Sequence, residues 1–181
     1  YKRKRITVTF KLDGGKIGST TDDVTREGKF GATFTAPADP TRDGYTFNGW
    51  LPALSSSLTY PVANATYTAQ WKQNTYIVTF KVDEGQGGTL TGTYNGTPKI
   101  ASGSTEQQFE SVPHNSTITF TADTASGYEV DSWTGGATPE SGNNKNASLT
   151  VQNNVTVTVK FKQQVAPVKT WEALRTAVQN A

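Results

Sequence analysis

The sequence predicts a mostly β protein that consists of two tandem repeat modules and ends in a short helix. Three observations predict it: one set of landmarks occurs twice in the same order, apolar and polar residues alternate over several segments, and residues 170–181 have a helical spacing instead. The modules are expected over residues 4–73 and 74–163, with a linker and amphipathic helix over 164–181. Because the modules meet without a linker, an elongated, semi-rigid arrangement is expected.

The repeated landmarks are an opening strand, a glycine-containing turn, a second strand and a segment that runs from Gly-Tyr to Trp. The opening strands are ITVTF at 6–10 and YIVTF at 76–80. The Gly-Tyr segments end at Trp50 and Trp133. The second strands are expected at 31–36 in the first copy and at 115–122 in the second. Since glycine accepts a positive φ, the glycine before each tyrosine predicts a tight turn into a strand.

Alternation of apolar and polar side chains predicts strands with one buried face. The closing segment of the second copy, Val155 to Phe161, places its apolar residues at every second position. The first core is expected to contain Phe10, Phe34, Tyr45, Phe47, Trp50 and Trp71, and the second Phe80, Ile118, Phe120, Tyr128, Trp133, Val159 and Phe161. Two stretches present only in the longer second copy, 96–110 and 135–147, are rich in Gly, Ser, Thr and Asn and are predicted to be loops.

Composition argues against several classes of partner. Lys and Arg number 17 against 15 Asp and Glu, and the one basic cluster lies at residues 2–5, so no nucleic-acid partner is expected. The chain has no Cys, which removes disulfides and thiol chemistry. No apolar run reaches the roughly 18 residues that a membrane-spanning helix needs, so no membrane insertion is expected. A monomer is expected by default.

No group of residues predicts catalysis. The single histidine, His114, lies before a strand in a predicted loop, where a solvated side chain is expected. The adjacent carboxylates at 22–23 and 83–84 lack the spacing of a calcium-binding loop. We therefore expect no enzyme activity, no cofactor and no metal. Tyr60, Tyr67 and Tyr94 lie outside the repeated landmarks and are the candidates for stacking on a sugar ring, with partial burial at a sheet margin as the alternative.

The first copy resembles the internalin B-type repeat, also called the Listeria–Bacteroides repeat. The residues that carry the resemblance over 4–73 are Val8-Thr9-Phe10, Asp13-Gly14-Gly15, Pro37, Pro40, the segment GYTFNGW at 44–50 and Ala69-Gln70-Trp71. Residues 74–163 resemble the divergent form of this repeat through Gly127-Tyr128 and Trp133-Thr134-Gly135-Gly136. The second copy lacks the two prolines, and Phe161 replaces the closing Trp.

The resemblance implies a β-grasp-like module that occurs in tandem on bacterial surface proteins, and it supplies no catalytic residues. The expected function is a non-catalytic extracellular repeat region of a bacterial surface protein, attached to the cell wall, that acts as a stalk or adhesion module. A host-surface protein or a glycan is the expected partner. The alternative is a carbohydrate-binding accessory region of a secreted β-helix protein, because residues 170–181 are similar to the N-terminal capping helix of such proteins.

Overall fold

The structure is a computed structural model that describes residues 4–164 and Arg175. The contacts divide the chain into two compact units. The first extends to Tyr76 and includes Ser111–Ser116, and the second comprises Ile77–Glu110 and the described residues from Thr117 onward. The predicted linker and helix over 164–181 lie, apart from their first residue and Arg175, outside the described residues.

The first unit contains one four-stranded sheet. Its strands are β1 (Ile6–Lys11), β2 (Val24–Gly28), β3 (Tyr45–Leu51) and β4 (Ala65–Gln73), in the order β2-β1-β4-β3. The central strands β1 and β4 are parallel, with Val8 opposite Ala65, and the outer pairs are antiparallel.

The second unit contains two sheets. Its strands are β5 (Thr75–Val82), β6 (Gly88–Tyr94), β7 (Thr97–Ser102), β8 (Gln107–Pro113), β9 (Thr117–Thr124), β10 (Tyr128–Thr134), β11 (Thr138–Glu140), β12 (Asn143–Thr150) and β13 (Val155–Gln163). The first two residues of β5 and the last three of β8 belong to the first unit by their contacts. One sheet has the order β10-β13-β5-β8, with β5 and β13 parallel and Val78 opposite Val155. Strand for strand this is the arrangement of the first unit, so the predicted duplication is confirmed.

Hydrogen bonds repeat at equivalent positions as well. The side-chain oxygen of Asn64, just before β4, accepts the backbone N–H of Thr7 at 3.0 Å. The oxygen of Asn154, just before β13, accepts the N–H of Ile77 at 2.8 Å. Each asparagine therefore joins the start of the last strand to the start of the first strand of its unit.

The turns before Tyr45 and Tyr128 have the predicted form. Gly44 has φ 71° and Gly127 has φ 77°. The carbonyl of Gly44 accepts the N–H of Asn74 at 2.9 Å, and that of Gly127 accepts the N–H of Gln164 at 2.8 Å. The strands that follow carry Trp50 and Trp133 opposite Ala69 and Val159, each beyond a break in register.

The two stretches predicted as loops are mostly strands, and this prediction is wrong. Residues 96–110 supply β7 and the first part of β8, and residues 135–147 supply β11 and most of β12. Of these strands, β7, β11 and β12 lie in a sheet of order β11-β12-β9-β6-β7, whereas β8 lies at an edge of the other sheet. Asn95 and Gly96 both have positive φ, 48° and 74°, as a two-residue hairpin turn between β6 and β7 requires.

The second strand of the first copy, predicted over 31–36, is reduced to a single bridge between Thr33 and Thr59. The matching residues of the second copy form β9. β9 pairs with both β6 and β12, and the described part of the first unit has no equivalent of either strand. Pro37 and Pro40 follow the bridge, and proline lacks the N–H that a strand interior donates.

Most of the predicted core residues are buried. In the first unit Phe10 and Trp50 are buried, and Phe34, Phe47 and Trp71 pack against them while partly exposed. Tyr45 lies at the margin instead, where the Arg42 guanidinium stacks on its ring at 4.2 Å. In the second unit Tyr128 and Trp133 are half-buried, and the other predicted residues are buried. The sequence did not indicate the core roles of Leu12, Tyr60, Leu90, Phe109, Val112 and Val151.

Candidate functional site

The three tyrosines predicted to bind a ligand make core contacts. Tyr60 is only 6% exposed, and its ring lies 4.9 Å from that of Phe34. Tyr67 is half-buried and stacks on Phe10 at 5.3 Å. In the second unit Tyr94 is half-buried, with its ring 5.9 Å from Phe109. Each ring therefore has a packing role, and ligand binding by these residues stays a prediction.

His114 is buried, contrary to the prediction of a solvated side chain. It is 8% exposed and belongs to the segment 111–116 of the first unit. Its Nε2 lies 3.3 Å from Asp43 Oδ2, and its backbone N–H donates to the Asn74 carbonyl at 2.9 Å. A Cβ atom on Gly44 would overlap the imidazole, so the absence of a side chain there makes room for the ring. The histidine holds this segment in place.

The adjacent carboxylates have structural partners. Asp23 accepts the backbone N–H of Leu12 at 3.1 Å, and Asp83 lies 4.0 Å from the Lys160 ammonium group. Within the described residues, no three His, Asp or Glu side chains lie close enough together to hold a metal ion. The exposed Lys162 donates hydrogen bonds to Asp131 and Glu129. These two carboxylates, Asp131 more than Glu129, raise the pKa of the lysine.

Two adjoining cavities lie in the second unit, next to the turn that precedes β13. The first has a volume of about 350 Å³ and is lined by Gly135, Gly136, Leu149, Thr150, Gln152, Asn153 and Val155. The second, of about 330 Å³, shares Val155 and is lined also by Ile77, Thr79, Asn154 and Thr156. The lining of both consists of amide, hydroxyl, aliphatic and glycine residues. We call these two cavities together the β13-turn site.

The walls of the β13-turn site depend on close backbone packing. Gly135 and Gly136 have φ of 80° and 77°, which favours glycine at both positions. A Cβ atom on Gly135 would overlap the carbonyl oxygen of Thr156. Sequence reasoning missed this site, although the Gly135-Gly136 pair and the three consecutive amides at 152–154 were visible signals.

Another cavity of the second unit, about 320 Å³, is lined by Lys99, Glu106, Gln107 and Gln108. Its lining contains a positively charged and a negatively charged residue.

In the part of the chain that the structure describes, no helix has the length and apolar character needed to cross a bilayer.

Comparison with known proteins gives matches to family models and to a few proteins. A protein from Evansella cellulosilytica, whose name suggests a membrane location, is 33% identical over 84 residues, which is 43% of this chain and 12% of that protein. An adhesin from Mobiluncus mulieris with intramolecular disulfide, isopeptide and ester cross-links gives a TM-score of 0.38 at 15% identity, over 61% of this chain and 52% of the adhesin. A variant of the major pilin from Streptococcus pyogenes gives a TM-score of 0.30 at 12% identity, over 88% of this chain and 98% of the pilin.

At these TM-scores the two structural likenesses carry no weight for fold or function. The matches to family models do carry weight, because they cover both units in chain order. The Listeria-Bacteroides repeat domain matches residues 7–75, and the divergent InlB B-repeat domain matches residues 78–165. The matched ranges differ from the modules predicted over 4–73 and 74–163 by at most four residues at each end. Residues 7–75 are therefore a Listeria-Bacteroides repeat domain, and residues 78–165 are a divergent InlB B-repeat domain.

Proposed function

We propose that this chain is a non-catalytic, extracellular repeat region of a bacterial surface protein and serves as a stalk that carries tension. The observation behind this proposal is the position of the first and last strands of each unit. In the first unit β1 lies beside β4 and parallel to it, and in the second unit β5 lies beside β13 in the same way. A force that pulls on the two ends of a unit therefore slides these strands past each other.

Sliding two parallel strands loads all the hydrogen bonds between them together. Pulling apart two antiparallel neighbours from one end breaks their hydrogen bonds one after another. The parallel strands are also central in each four-stranded sheet, so each is paired on its other side as well. Unfolding under force is governed by the unfolding rate, and a step that must break many bonds at once has a high barrier. A spacer between a cell and its surroundings needs this resistance.

Two further observations support a bacterial surface location and a β-grasp-like module. The family matches cover nearly the whole described chain, and the name of the Evansella cellulosilytica relative suggests a membrane location. The mixed four-stranded sheet with a parallel central pair, present in both units, supports the β-grasp-like class. Attachment to the cell wall and adhesion to a host-surface protein or glycan belong to the same proposal.

The direction of pulling tests the stalk proposal. Because the chain has no Cys, engineered cysteines are unique attachment points for single-molecule force measurements. Lys4→Cys with Lys72→Cys, both at exposed positions, loads β1 against β4 in shear. Lys4→Cys with Lys29→Cys, also exposed, peels β1 from β2, because Ile6 lies opposite Gly28.

We expect the shear pair to need a clearly higher unfolding force than the peeling pair at the same loading rate. Equal forces would remove the mechanical support for a stalk. Solution scattering gives a second test, since a stalk is expected to be an extended, two-lobed particle. A compact single globule would contradict it.

A further inference from the structure

We infer that the β13-turn site of the second unit binds a neutral glycan. The inference rests on a comparison of this turn with its equivalent in the first unit, and on the chemistry of the cavity lining. It deepens the adhesion part of the proposed function and does not depend on the stalk, because a spacer requires no ligand site.

The turns that precede β4 and β13 have the same construction. Residues 61–64 and 151–154 follow the same succession of bends before the strand begins. Asn64 and Asn154 occupy equivalent positions and accept equivalent backbone N–H groups at 3.0 and 2.8 Å. The turn therefore folds in the first unit with different residues at the two positions before the asparagine.

Those two positions differ in a way that packing does not explain. The first unit has Val62 and Ala63, whereas the second has Gln152 and Asn153. Both amide side chains are exposed, and among the described residues neither takes part in a hydrogen bond. A primary amide offers two N–H donors and an acceptor oxygen. The second unit thus presents donors and acceptors where the first unit presents aliphatic groups.

The lining around these amides is polar but uncharged. Thr79, Thr150 and Thr156 supply hydroxyls, and no Lys, Arg, Asp or Glu is among the described residues that line the two cavities. An anionic or cationic ligand would lose hydration without gaining an opposite charge. A purely apolar ligand would desolvate the amides and leave them unpaired. The site therefore favours a neutral ligand with many hydroxyls.

Aliphatic groups complete the match to a sugar ring, which has C–H faces between its hydroxyls. Ile77 is 43% exposed and lines one cavity, while the buried Leu149 lines the other. Both cavities, of about 350 and 330 Å³, open widely to solvent, so a ligand would lie in a shallow depression of the surface. An extended peptide is less suited, because β5 and β13 are central strands with no free edge.

Contacts within the protein fix the backbone around the site in the absence of a ligand. Gly135 packs against the Thr156 carbonyl, Gly136 lies beside Leu149 with 3.7 Å between a Cβ position and Leu149 Cδ1, and Asn154 is bonded to Ile77. A rigid site loses less conformational entropy on binding.

The test is an NMR titration of the whole ¹⁵N-labelled chain with a panel of neutral oligosaccharides, alongside anionic oligosaccharides and uncharged peptides. Binding of at least one neutral oligosaccharide should shift the side-chain amide signals of Gln152 and Asn153. The double variant Gln152→Val with Asn153→Ala carries the residues of the first unit and should fold normally. It should bind at least about tenfold more weakly, as expected for the loss of two hydrogen bonds.

The reciprocal variant, Val62→Gln with Ala63→Asn, is the matched control and should bind like the wild type. Three results would overturn the inference: no shift with any neutral oligosaccharide, equal binding by the Gln152→Val, Asn153→Ala variant, or a preference for anionic sugars or peptides. None of these results bears on the pulling experiment, so the two proposals fail separately.

Discussion

Replacing Gly15 with alanine tests how closely the turn after β1 approaches the last strand of the first unit. The N–H of Gly15 donates to the Leu12 carbonyl at 2.9 Å. An added Cβ would overlap Cζ2 of Trp71 on β4, and it would lie 3.0 Å from Cη2 of the same indole and 3.1 Å from the Leu12 oxygen. The backbone of Gly15 is not in the positive-φ region, so the cost is steric.

The expected loss of stability follows from the contacts of Trp71 that the added methyl group would disturb. Its indole N–H donates to the Leu12 carbonyl at 3.2 Å, and its ring packs edge-on against Phe47 at 5.6 Å. Overpacking of this kind costs about 1–3 kcal/mol, and the loss of the indole hydrogen bond adds about 1 kcal/mol. We therefore expect Gly15→Ala to lower the free energy of unfolding by about 2–4 kcal/mol.

A double-mutant cycle isolates the contact. Trp71→Phe removes Cζ2 and Cη2, so Gly15→Ala should cost about 1–2 kcal/mol less in that background. The assay is urea denaturation of the full chain followed by circular dichroism. Hydrogen exchange measured on peptides of residues 4–73 assigns the loss to the first unit, because two compact units need not unfold together. If the double variant loses the sum of the two single losses to within about 0.5 kcal/mol, Gly15 and Trp71 are not coupled and the reasoning is refuted.

Substitutions at four other sites test the remaining parts of the fold. Asn64→Ala and Asn154→Ala should each cost about 1 kcal/mol in urea denaturation, since each removes one equivalent hydrogen bond, and clearly unequal costs would contradict the equivalence of the two turns. Trp50→Ala should cost about 3–5 kcal/mol, because the indole is 8% exposed and packs on Phe10 at 5.0 Å; a loss below about 1 kcal/mol would show that it is no core residue. Asn95→Ala should cost about 1 kcal/mol, since alanine tolerates a φ of 48° less well, and Asn95→Gly should cost nothing in the same urea denaturation assay.

The sequence predicted those parts of the fold that depend on local pattern. Alternating residues such as Val155 to Phe161 identified strands, and the glycine before Tyr45 and Tyr128 identified the turns. The errors came from reading composition in place of pattern. β12 has the sequence NNKNASLT, in which only Ala147 and Leu149 face the core, so its polar side chains resembled those of a loop.

The candidate site could not be predicted from the sequence, for a different reason. Gly135 follows β10 and Thr156 lies in β13, and the antiparallel pairing of these strands brings the two together. Ile77 enters the site because β5 lies beside β13. No local pattern reports such long-range pairing. The exposed amides at 152–153 were visible, but their difference from Val62 and Ala63 becomes informative only when the two turns are known to be alike.

The aromatic residue that closes each unit lies against glycine backbone that follows the opening strand. In the first unit the six-membered ring of Trp71 lies over Gly15. In the second unit a side chain on Gly87 would overlap Phe161, and one on Gly88 would lie 2.9 Å from Cζ of that ring. The close approach of the closing ring to a glycine backbone is thus present in both units. Phe161→Trp should therefore destabilise the second unit in urea denaturation, because the larger indole would press on the backbone at Gly87 and Gly88.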